Sequence, residues 1–560
     1  MPDILLSLPE SLEKAFNAYN SKEYSEVERL CTAILVANGE FFDVLHLLAL
    51  AQSELGRNNA ALDNYDRALA VKPDDAEALY NRGNTLQGLG RFEEALESYE
   101  RALAVGADFA EVFNNRGVAV QKLGRFEEAL KSYQQALAVR PEYAEAFNNS
   151  GNALQEARRF EEALERYDQA LAVRPEYAEA LDNRGNTLRA LGRLDEAMGC
   201  HKQALAVRPD FAEAFYNYGN TLRDLKRFEE AMDSFQRALA LKPDFVLCQV
   251  NRAYLLLLTG RFFDGWRAYE WRRKEDGWAG RSLSGPEWRK GELCPARLLI
   301  YAEQGLGDTI QFSRFACSLA ASGKEVFLEV QSPLRGLLGS LEGVSVVRYG
   351  ETLPEQDAHL PLMSLPHVLG VTPETLPRNF PYLFAEPARV EAWAKRLPTG
   401  QFRVGIVWQG KPTGVVDKGR SIPLRCFAPL CRIPGLRLIS LQKNKGIEQL
   451  ADLPPNMRVE TLGAEFDSGP DAFLDTAAVM MNLDLVISSD TAAAHLAGAL
   501  GCPVWIALRH VPDWRWMIDR EDTPWYPTAR LFRQSRHGDW DEVFERIAGE
   551  LARRDQGRNF

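Results

Sequence analysis

The sequence predicts an α-solenoid of short helical repeats, followed by an α/β region made of two lobes. Three observations lead to this fold class. Glycine recurs every 34 residues from Gly83 to Gly219, all eleven tryptophans lie at or after Trp266, and short apolar strands alternate with helical patterns from about residue 296. At 560 residues the chain is also too long for a single hydrophobic core.

In the N-terminal half, glycines and prolines recur with the same 34-residue period. Similar segments such as GRFEEALESYERALAV lie between them. Glycine inside a helix costs about 1 kcal/mol relative to alanine, so we expect a close approach between the two helices of each repeat. The pattern resembles the tetratricopeptide repeat, which implies about eight helix pairs in residues 1–275. The periodic positions are Gly83, Gly117, Gly151, Gly185 and Gly219, and Pro73, Pro141, Pro175, Pro209 and Pro243.

The C-terminal half begins with a Gly-rich connector at residues 276–295. Apolar strands follow in two sets: RLLIY, EVFLEV and VSVVRY, then RVGIVW, LRLISL, LDLVIS and PVWIAL. Alternation of such strands with helical patterns predicts parallel sheets covered on both faces. We therefore expect two Rossmann-like lobes, at residues 296–390 and 391–560, with ligands near the carboxyl ends of their strands.

Composition excludes several function classes. A net charge of −12 gives no basic footprint for nucleic acid or for an anionic membrane surface. The N-terminus has no signal-peptide pattern, and no apolar run approaches the length of a membrane helix. The eight cysteines are scattered without a C-x-x-C pair, and the seven histidines lack metal-ligand spacing. We expect a cytoplasmic protein without metal, nucleic-acid partner or membrane insertion.

The loop AEQGLGDTIQ after the first strand carries an acidic residue, Asp308, where a phosphate-binding loop would not favour one. One interpretation is a general base, with Gly305 and Gly307 allowing a substrate to come close. The alternative is a helix cap by Asp308, with Gln311 completing a capping box.

In the second lobe, LDLVISSDTAAAHLAGALG ends a strand and starts an Ala-rich helix. Thr491 and His495 are four residues apart and share one helix face, directly after Asp490. A helix N-terminus with a hydroxyl and an imidazole can bind a diphosphate. Alternatively, Ser489 or Asp490 is only the N-cap and His495 an interior histidine.

Three loops at strand ends of the second lobe add polar and basic side chains. They lie in RVGIVWQGKP, KGRSIPL and SLQKNKG. Cations there can neutralise a diphosphate, although a charged loop is more often simply solvated. The candidate residues are Trp408, Lys411, Lys418, Arg420, Ser421, Gln442 and Lys443.

The motifs EQGLGD and D-T-x-x-x-H resemble the heptosyltransferase family over about residues 296–545. These are inverting glycosyltransferases of the two-lobed GT-B type. The resemblance implies that Asp308 is the catalytic base and that Arg420, Asp490, Thr491 and His495 hold the donor diphosphate. Two positions depart from the family, which usually has glycine at position 492, where this chain has alanine, and lysine at the place of Arg420.

An asparagine ladder runs along the repeats, and the fusion of repeats to GT-B lobes is similar to O-GlcNAc transferase and to bacterial flagellin glycosyltransferases. An amide both donates and accepts, which suits binding of an extended peptide backbone. The alternative is that these asparagines are common in repeats that bind nothing similar. The ladder residues are Asn81, Asn115, Asn149, Asn183, Asn217 and Asn251.

The segment VPDWRWMIDREDTPWYP concentrates aromatic residues near the C-terminus. Trp514, Trp516, Trp525 and Tyr526 can stack on a base or sugar, with Asp513 and Arg515 as polar contacts, but large anchors for packing are the favoured interpretation. The stretch WRAYEWRR is interpreted in the same way, as a contact between domains.

Together these features predict a metal-independent, inverting glycosyltransferase without a bound cofactor. Its substrates would be a nucleotide sugar and a protein or peptide acceptor held on the solenoid, and a homodimer is possible. Two alternatives stay open: a non-catalytic repeat scaffold with degenerate lobes, and a transferase that modifies a glycan or lipopolysaccharide.

Overall fold

The computed structural model describes residues 8–275, 278, 281, 283–410 and 419–554. Packing divides the chain into two compact units, Met1–Thr221 and Leu222–Phe560. Two of the predicted donor-loop residues, Lys411 and Lys418, lie outside the described residues. The limits predicted at residues 275, 295 and 390 follow changes in sequence pattern and stay predictions.

Sixteen consecutive helices occupy the described residues from 8 to 269, two for each of eight repeats. This confirms the predicted α-solenoid. The helices are α1 Leu8–Asn20, α2 Tyr24–Asn38, α3 Phe42–Glu54, α4 Asn58–Val71, α5 Ala76–Gly88, α6 Phe92–Ala104, α7 Ala110–Lys122, α8 Phe126–Val139, α9 Ala144–Glu156, α10 Phe160–Val173, α11 Ala178–Ala190, α12 Leu194–Val207, α13 Ala212–Asp224, α14 Phe228–Leu241, α15 Val246–Leu258 and α16 Phe262–Tyr269.

The periodic glycines mark the closest approach within a helix pair. A Cβ added at Gly151 would lie 2.6 Å from the ring of Tyr167, whose side chain is fully buried in the paired helix. Any larger residue would displace that ring, so the close approach predicted from the glycine period is confirmed. Equivalent contacts join Gly83 to Tyr99, Gly117 to Tyr133 and Gly185 to His201.

The last repeat, α15 and α16, belongs to the second unit and shares an aromatic core with its α/β part. Trp266 of α16 packs edge-on against Trp514 at 5.2 Å and against Phe312 at 6.1 Å between ring centroids. Phe262 stacks on Trp525 at 6.3 Å. The packing interpretation of the WRAYEWRR stretch and of the C-terminal tryptophans therefore agrees with the structure.

Two parallel sheets form the α/β part, as predicted. The first lobe contains a four-stranded sheet of order β3-β2-β1-β4, and the second lobe a five-stranded sheet of order β6-β5-β7-β8-β9. The strands are β1 Arg297–Tyr301, β2 Glu325–Val330, β3 Val344–Arg348, β4 Ala358–Pro361, β5 Phe402–Val407, β6 Leu436–Ser440, β7 Leu485–Ser489, β8 Val504–Leu508 and β9 Ala529–Arg533.

Two edge strands, β4 and β9, were not among the predicted ones. β4 is only four residues long and ends in proline, and β9 reads ARLFR, with two arginines in five residues. β4 pairs with β1 and is bridged on its other side through His359 and Glu287, whereas β9 pairs with β8. Neither sequence contains the long apolar run by which the other strands were recognised.

Seven helices accompany the sheets in the described ranges, and two of them position the candidate site. α17 follows β1 and α22 follows β7, and both strands lie inside their sheets. The carboxyl ends of such strands are the usual ligand edge of an open α/β sheet. The helices are α17 Leu306–Ala321, α18 Arg335–Leu338, α19 Leu365–Leu369, α20 Pro387–Ala394, α21 Leu474–Met480, α22 Ala492–Ala499 and α23 Trp540–Arg554.

Candidate functional site

Asp308 lies in the first turn of α17, which starts directly after Gly305. The backbone N–H of Gly305 donates to Oδ2 of Asp308 at 3.0 Å. Gly305 is therefore the N-cap of α17, and Asp308 bonds to the helix start from the third helical position. The capping box expected between Asp308 and Gln311 is wrong, because Gln311 is buried and faces the second lobe instead.

The second oxygen of Asp308 accepts a hydrogen bond from Nη2 of Arg515, a residue between β8 and β9 of the second lobe. Their side chains are 24% and 9% exposed, so the ion pair is largely screened from solvent. Burial raises the pKa of Asp308 above its usual value, and the charge of Arg515 opposes that rise. A carboxylate that is partly exposed yet weakly solvated is suited to take up a proton.

All three nitrogens of the Arg515 guanidinium group donate hydrogen bonds. Its Nε donates to Oε1 of Gln311 at 2.7 Å, and its Nη1 donates to Oδ1 of Asp513 at 2.9 Å. The guanidinium also lies 4.2 Å from the ring centroid of Trp514. Arg515 therefore joins α17 of the first lobe to the aromatic segment of the second.

The start of α22 lies beside this ion pair. Thr491 is the N-cap of α22, and its Oγ1 lies 3.1 Å from Oγ of Ser488. Burial and the nearby Asp513 charge raise the pKa of Asp490 to about 6. Burial raises the pKa of both Asp490 and Asp308, and the positive charge of Arg420 opposes that rise at each of them.

His495 is a buried, uncharged histidine. Its Nδ1 lies 2.9 Å from the hydroxyl of Tyr526, and its ring stacks on Trp516 at 5.3 Å. Burial first, and then the charges of three arginines including Arg515, hold the pKa of His495 well below its usual value. His495 consequently brings no positive charge to a diphosphate at neutral pH.

Gly307 lies against α22. A Cβ added at Gly307 would be 3.1 Å from Cδ2 of His495 and 3.2 Å from Cα of Ala492. The absent side chain thus allows α17 and α22 to pack closely, whereas the sequence-based interpretation was that Gly307 leaves room for an acceptor. That interpretation is corrected for Gly307.

The predicted donor loops are separated by the structure into two groups. Arg420 lies at the site: a Cβ added at Gly410 would be 2.8 Å from Nη2 of Arg420 and 3.4 Å from Cγ2 of Thr491. Ser421, which follows it, is half-buried.

The other predicted donor contacts hold their own loops. Trp408 is buried and donates from Nε1 to the carbonyl of Gly446 at 3.1 Å. Gln442 accepts from the Trp408 backbone N–H at 3.1 Å, and its Nε2 donates to the carbonyl of Gln409 at 2.8 Å. Lys443 donates from Nζ to the carbonyl of Phe466. These three side chains therefore stabilise the edge of the sheet that carries the site.

Several buried polar atoms around the site have no hydrogen-bond partner within the described part of the chain. They are Nε2 of Gln311, Nε of Arg420 and Oγ of Ser489. Buried polar groups are normally hydrogen-bonded, and unpaired ones at a strand edge point to a polar ligand or to water.

The asparagine ladder links successive repeats of the first unit. Nδ2 of Asn149 donates to Oδ1 of Asn114, and Nδ2 of Asn183 to Oδ1 of Asn148, each at 3.0 Å and each to a residue 35 positions earlier. The ladder amides thus clasp one repeat to the next. The other contacts are Asn81 with His46 at 3.3 Å, Asn115 with Tyr80 at 3.1 Å, and Asn217 with Asp182 at 2.7 Å.

Asn251, the last ladder residue, lies in the second unit and differs from the rest. Its Nδ2 donates to the carbonyl of Leu247 in its own helix at 3.2 Å, and its Oδ1 accepts from Nη1 of Arg223 at 3.3 Å. The amide nitrogens of the ladder are thus used within the protein, and a role of the ladder amides in peptide binding stays a prediction.

Arg515 and Asp513 are the site residues that sequence reasoning undervalued. They were considered only as polar contacts for a stacked ligand, in a segment expected to pack. The aromatic part of that expectation agrees with the structure, since Trp514, Trp516 and Trp525 are buried. The available signal was an arginine inside a run of buried aromatic residues, where a charge needs a partner.

No helix in the described ranges is long and apolar enough to cross a membrane. Nor do three or more His, Cys, Asp or Glu side chains in those ranges come together in a way that could hold a metal ion.

Comparison with known families identifies the repeats. The tetratricopeptide-repeat family matches residues 74–142, 108–176, 142–210 and 176–244, and a further match to TPR repeats covers residues 51–90. This part of the chain is therefore a tetratricopeptide-repeat array.

Individual proteins are similar over part of the chain. Protein FlbA of Caulobacter vibrioides is 29% identical over 331 residues, which are 54% of this chain and 55% of FlbA, so the chain spans about half the length of this curated relative. A tetratricopeptide repeat protein from Parabacteroides merdae is 18% identical with a TM-score of 0.40, covering 45% of this chain and 99% of its own. A thermophilic TPR protein of Thermus thermophilus, TTC0263, is 27% identical with a TM-score of 0.31, covering 33% and 100%.

Proposed function

We propose that this protein is a glycosyltransferase that moves a sugar from a nucleotide-sugar donor to a hydroxyl group of a protein acceptor, with inversion at the anomeric carbon. The supporting observation is the position of Asp308. It lies at the ligand edge of the first lobe, partly exposed, and meets Arg515 of the second lobe there. Arg420 and the start of α22 lie in the same environment.

In this mechanism, Asp308 accepts the proton of the acceptor hydroxyl while the hydroxyl oxygen attacks the anomeric carbon. The bond from that carbon to the diphosphate breaks, and the diphosphate leaves with the electron pair. Arg420, the Thr491 hydroxyl and the free N–H groups at the start of α22 stabilise the negative charge on the leaving group. Cationic side chains and backbone dipoles perform this task in the proposal, without a metal ion or bound cofactor.

The repeat array supplies the acceptor in this proposal. Solenoids of stacked helical repeats present extended surfaces that bind other proteins. Five of the six ladder amide nitrogens already bond to a neighbouring repeat, so the side chains around the ladder would make the contacts in this proposal.

A second candidate is a non-catalytic repeat protein, which one observation favours. Gly307 and Ala492 pack so closely that an added Cβ at position 307 would lie 3.2 Å from Cα of Ala492. The two helix starts therefore leave little space between them at that point. In this candidate the lobes serve only as a binding or assembly platform.

Donor binding separates the two candidates. Calorimetric titration of the full chain with a panel of uridine, guanosine, adenosine and cytidine nucleotide sugars should show saturable binding to one nucleotide class. Asp308→Asn should then reduce transfer by about 10²–10⁴-fold, the usual contribution of a general base, while donor affinity stays nearly unchanged. Glu325→Gln, at an exposed acid on β2, is the matched control and should leave transfer unchanged. Absence of binding to any donor, or loss of donor affinity in Asp308→Asn, would contradict the proposal.

A further inference from the structure

The candidate base is held by a residue from the opposite lobe. Asp308 and Gln311 are three positions apart on α17, so they share one helix face. Both accept hydrogen bonds from the same guanidinium, Asp308 from Nη2 and Gln311 from Nε of Arg515. With the Gly305 N–H on its other oxygen, the Asp308 carboxylate is fixed at both oxygens.

The guanidinium is itself fixed from a third side. Nη1 of Arg515 donates to Asp513, which also accepts from the Arg515 backbone N–H at 3.0 Å. Three donor positions of Arg515 are therefore used, and its side chain is only 9% exposed. A buried, planar and permanently charged group with this geometry cannot turn away without leaving unpaired donors.

We infer that Arg515 is the positioning residue for Asp308: its guanidinium fixes the carboxylate at the start of α17 and keeps it in the ionised form that accepts the acceptor's proton. The inference rests on the proposed function, because a base matters only if transfer occurs. Arg515 itself touches neither the leaving group nor the acceptor in this assignment.

The charged groups around Asp308 predict the direction of two substitutions. Arg515 and Arg420 favour the ionised carboxylate, whereas burial and the charge of Asp513 oppose it. Tyr269 of α16 also lies near, but burial raises its pKa to about 12, so that it stays neutral and adds no charge. Removal of Arg515 should therefore favour the protonated carboxyl, and removal of the Asp513 charge should favour the ionised one.

The test is the pH dependence of kcat/KM, whose acid limb reports the ionisation of the base in the free enzyme. Arg515→Gln should move that limb upward by about one pH unit or more, so that activity lost at pH 7 returns at higher pH. Asp513→Asn should move it downward, and Arg515→Lys, which keeps the charge but not the planar set of donors, should leave the limb near its wild-type position while lowering kcat/KM at every pH. A uniform loss of activity at every pH in both Arg515→Gln and Asp513→Asn, with no displacement of the limb, would overturn the inference.

A second measurement requires no transferase activity. The difference in melting temperature between Arg515→Gln and the wild type should depend on pH, and that dependence should become smaller when both proteins also carry Asp308→Asn, while the contributions of the other neighbours of Arg515 remain. If it becomes smaller but no donor supports transfer, the control of Asp308 by Arg515 stands and the proposed function fails. If transfer occurs but the dependence is the same with and without Asp308, the inference fails and the proposed function stands. Should Arg515→Gln not fold, Asp513→Asn provides both measurements with the opposite sign.

Discussion

A single methyl group added at Gly151 should destabilise the repeat array, whereas the same change at Gly199 should stabilise it. Both glycines lie inside helices, α9 and α12. A Cβ at Gly151 would lie 2.6, 2.8 and 2.9 Å from three carbons of the Tyr167 ring. Among the described residues, a Cβ at Gly199 would have no other atom within 4 Å.

The magnitude follows from these distances. Carbon atoms in contact prefer a separation of about 3.5–4.0 Å, so the Tyr167 ring must move by about 1 Å. Forcing such a shift in a packed interior costs about 1–3 kcal/mol. The move also strains the hydrogen bond from the Tyr167 hydroxyl to Oδ1 of Asn152, now 2.8 Å long, which contributes about 1 kcal/mol. Replacing glycine by alanine in a helix returns about 1 kcal/mol.

Gly151→Ala should consequently lower the free energy of unfolding by about 1–3 kcal/mol, and Gly199→Ala should raise it by up to about 1 kcal/mol. Urea titration of the full chain, followed by circular dichroism of the helices, measures both. Tryptophan fluorescence in the same titration follows only the chain from residue 266 onward, because all eleven tryptophans lie there. If Gly151→Ala proved as stable as Gly199→Ala, the close approach of α9 to Tyr167 would not be what requires glycine at this position.

Two further changes probe the clasp between repeats and the charge at the site. Asn183→Ala removes the hydrogen-bond donor to Oδ1 of the buried Asn148 and leaves that oxygen unpaired. The free energy of unfolding in the same urea titration should fall by about 1–3 kcal/mol. An unchanged midpoint would show that this ladder contact does not stabilise the array. The pKa of Asp490 is raised from 3.8 to about 6 in the folded protein, so the folded state binds the carboxyl proton of Asp490 more tightly than the unfolded chain does. Ionisation of Asp490 therefore destabilises the fold as the pH rises from about 4 to about 6. Asp490→Asn should therefore raise the melting temperature at pH 7 and change it little at pH 4, whereas an equal increase at both pH values would contradict the raised pKa.

The sequence was most informative where one physical cause repeats. Period-34 glycines predict the helix pairs because four of them, from Gly83 to Gly185, lie against a buried ring, as Gly151 lies against Tyr167. Continuous apolar strands such as VWIAL of β8 were recognisable because side chains on both faces of the strand are buried. β9, with arginines at both its second and last positions, lacked that signal.

The site was predictable only in its separate halves. Asp308 stood out as an acid after a strand, and Thr491 as a helix start, because local sequence decides both. The partner of Asp308 lies 207 positions away, and nothing in the local sequence of Arg515 specifies which carboxylate it meets. The ladder shows the same limit: a repeated asparagine is visible in sequence, but its acceptor 35 residues earlier is a property of stacking.

The aromatic core shared by α16 and the α/β lobes determines how such a protein can change in length over evolution. An internal repeat between α5 and α12 can be duplicated or lost as a 34-residue module, because each one contains the same glycine contact between its own two helices and, with few exceptions, offers its neighbours the same asparagine clasp. The last repeat is not interchangeable in this way, since Phe262 and Trp266 are shaped to fit Trp514, Trp525 and Phe312. Variation in repeat number among relatives is therefore expected upstream of α15, with the final helix pair inherited together with the lobes.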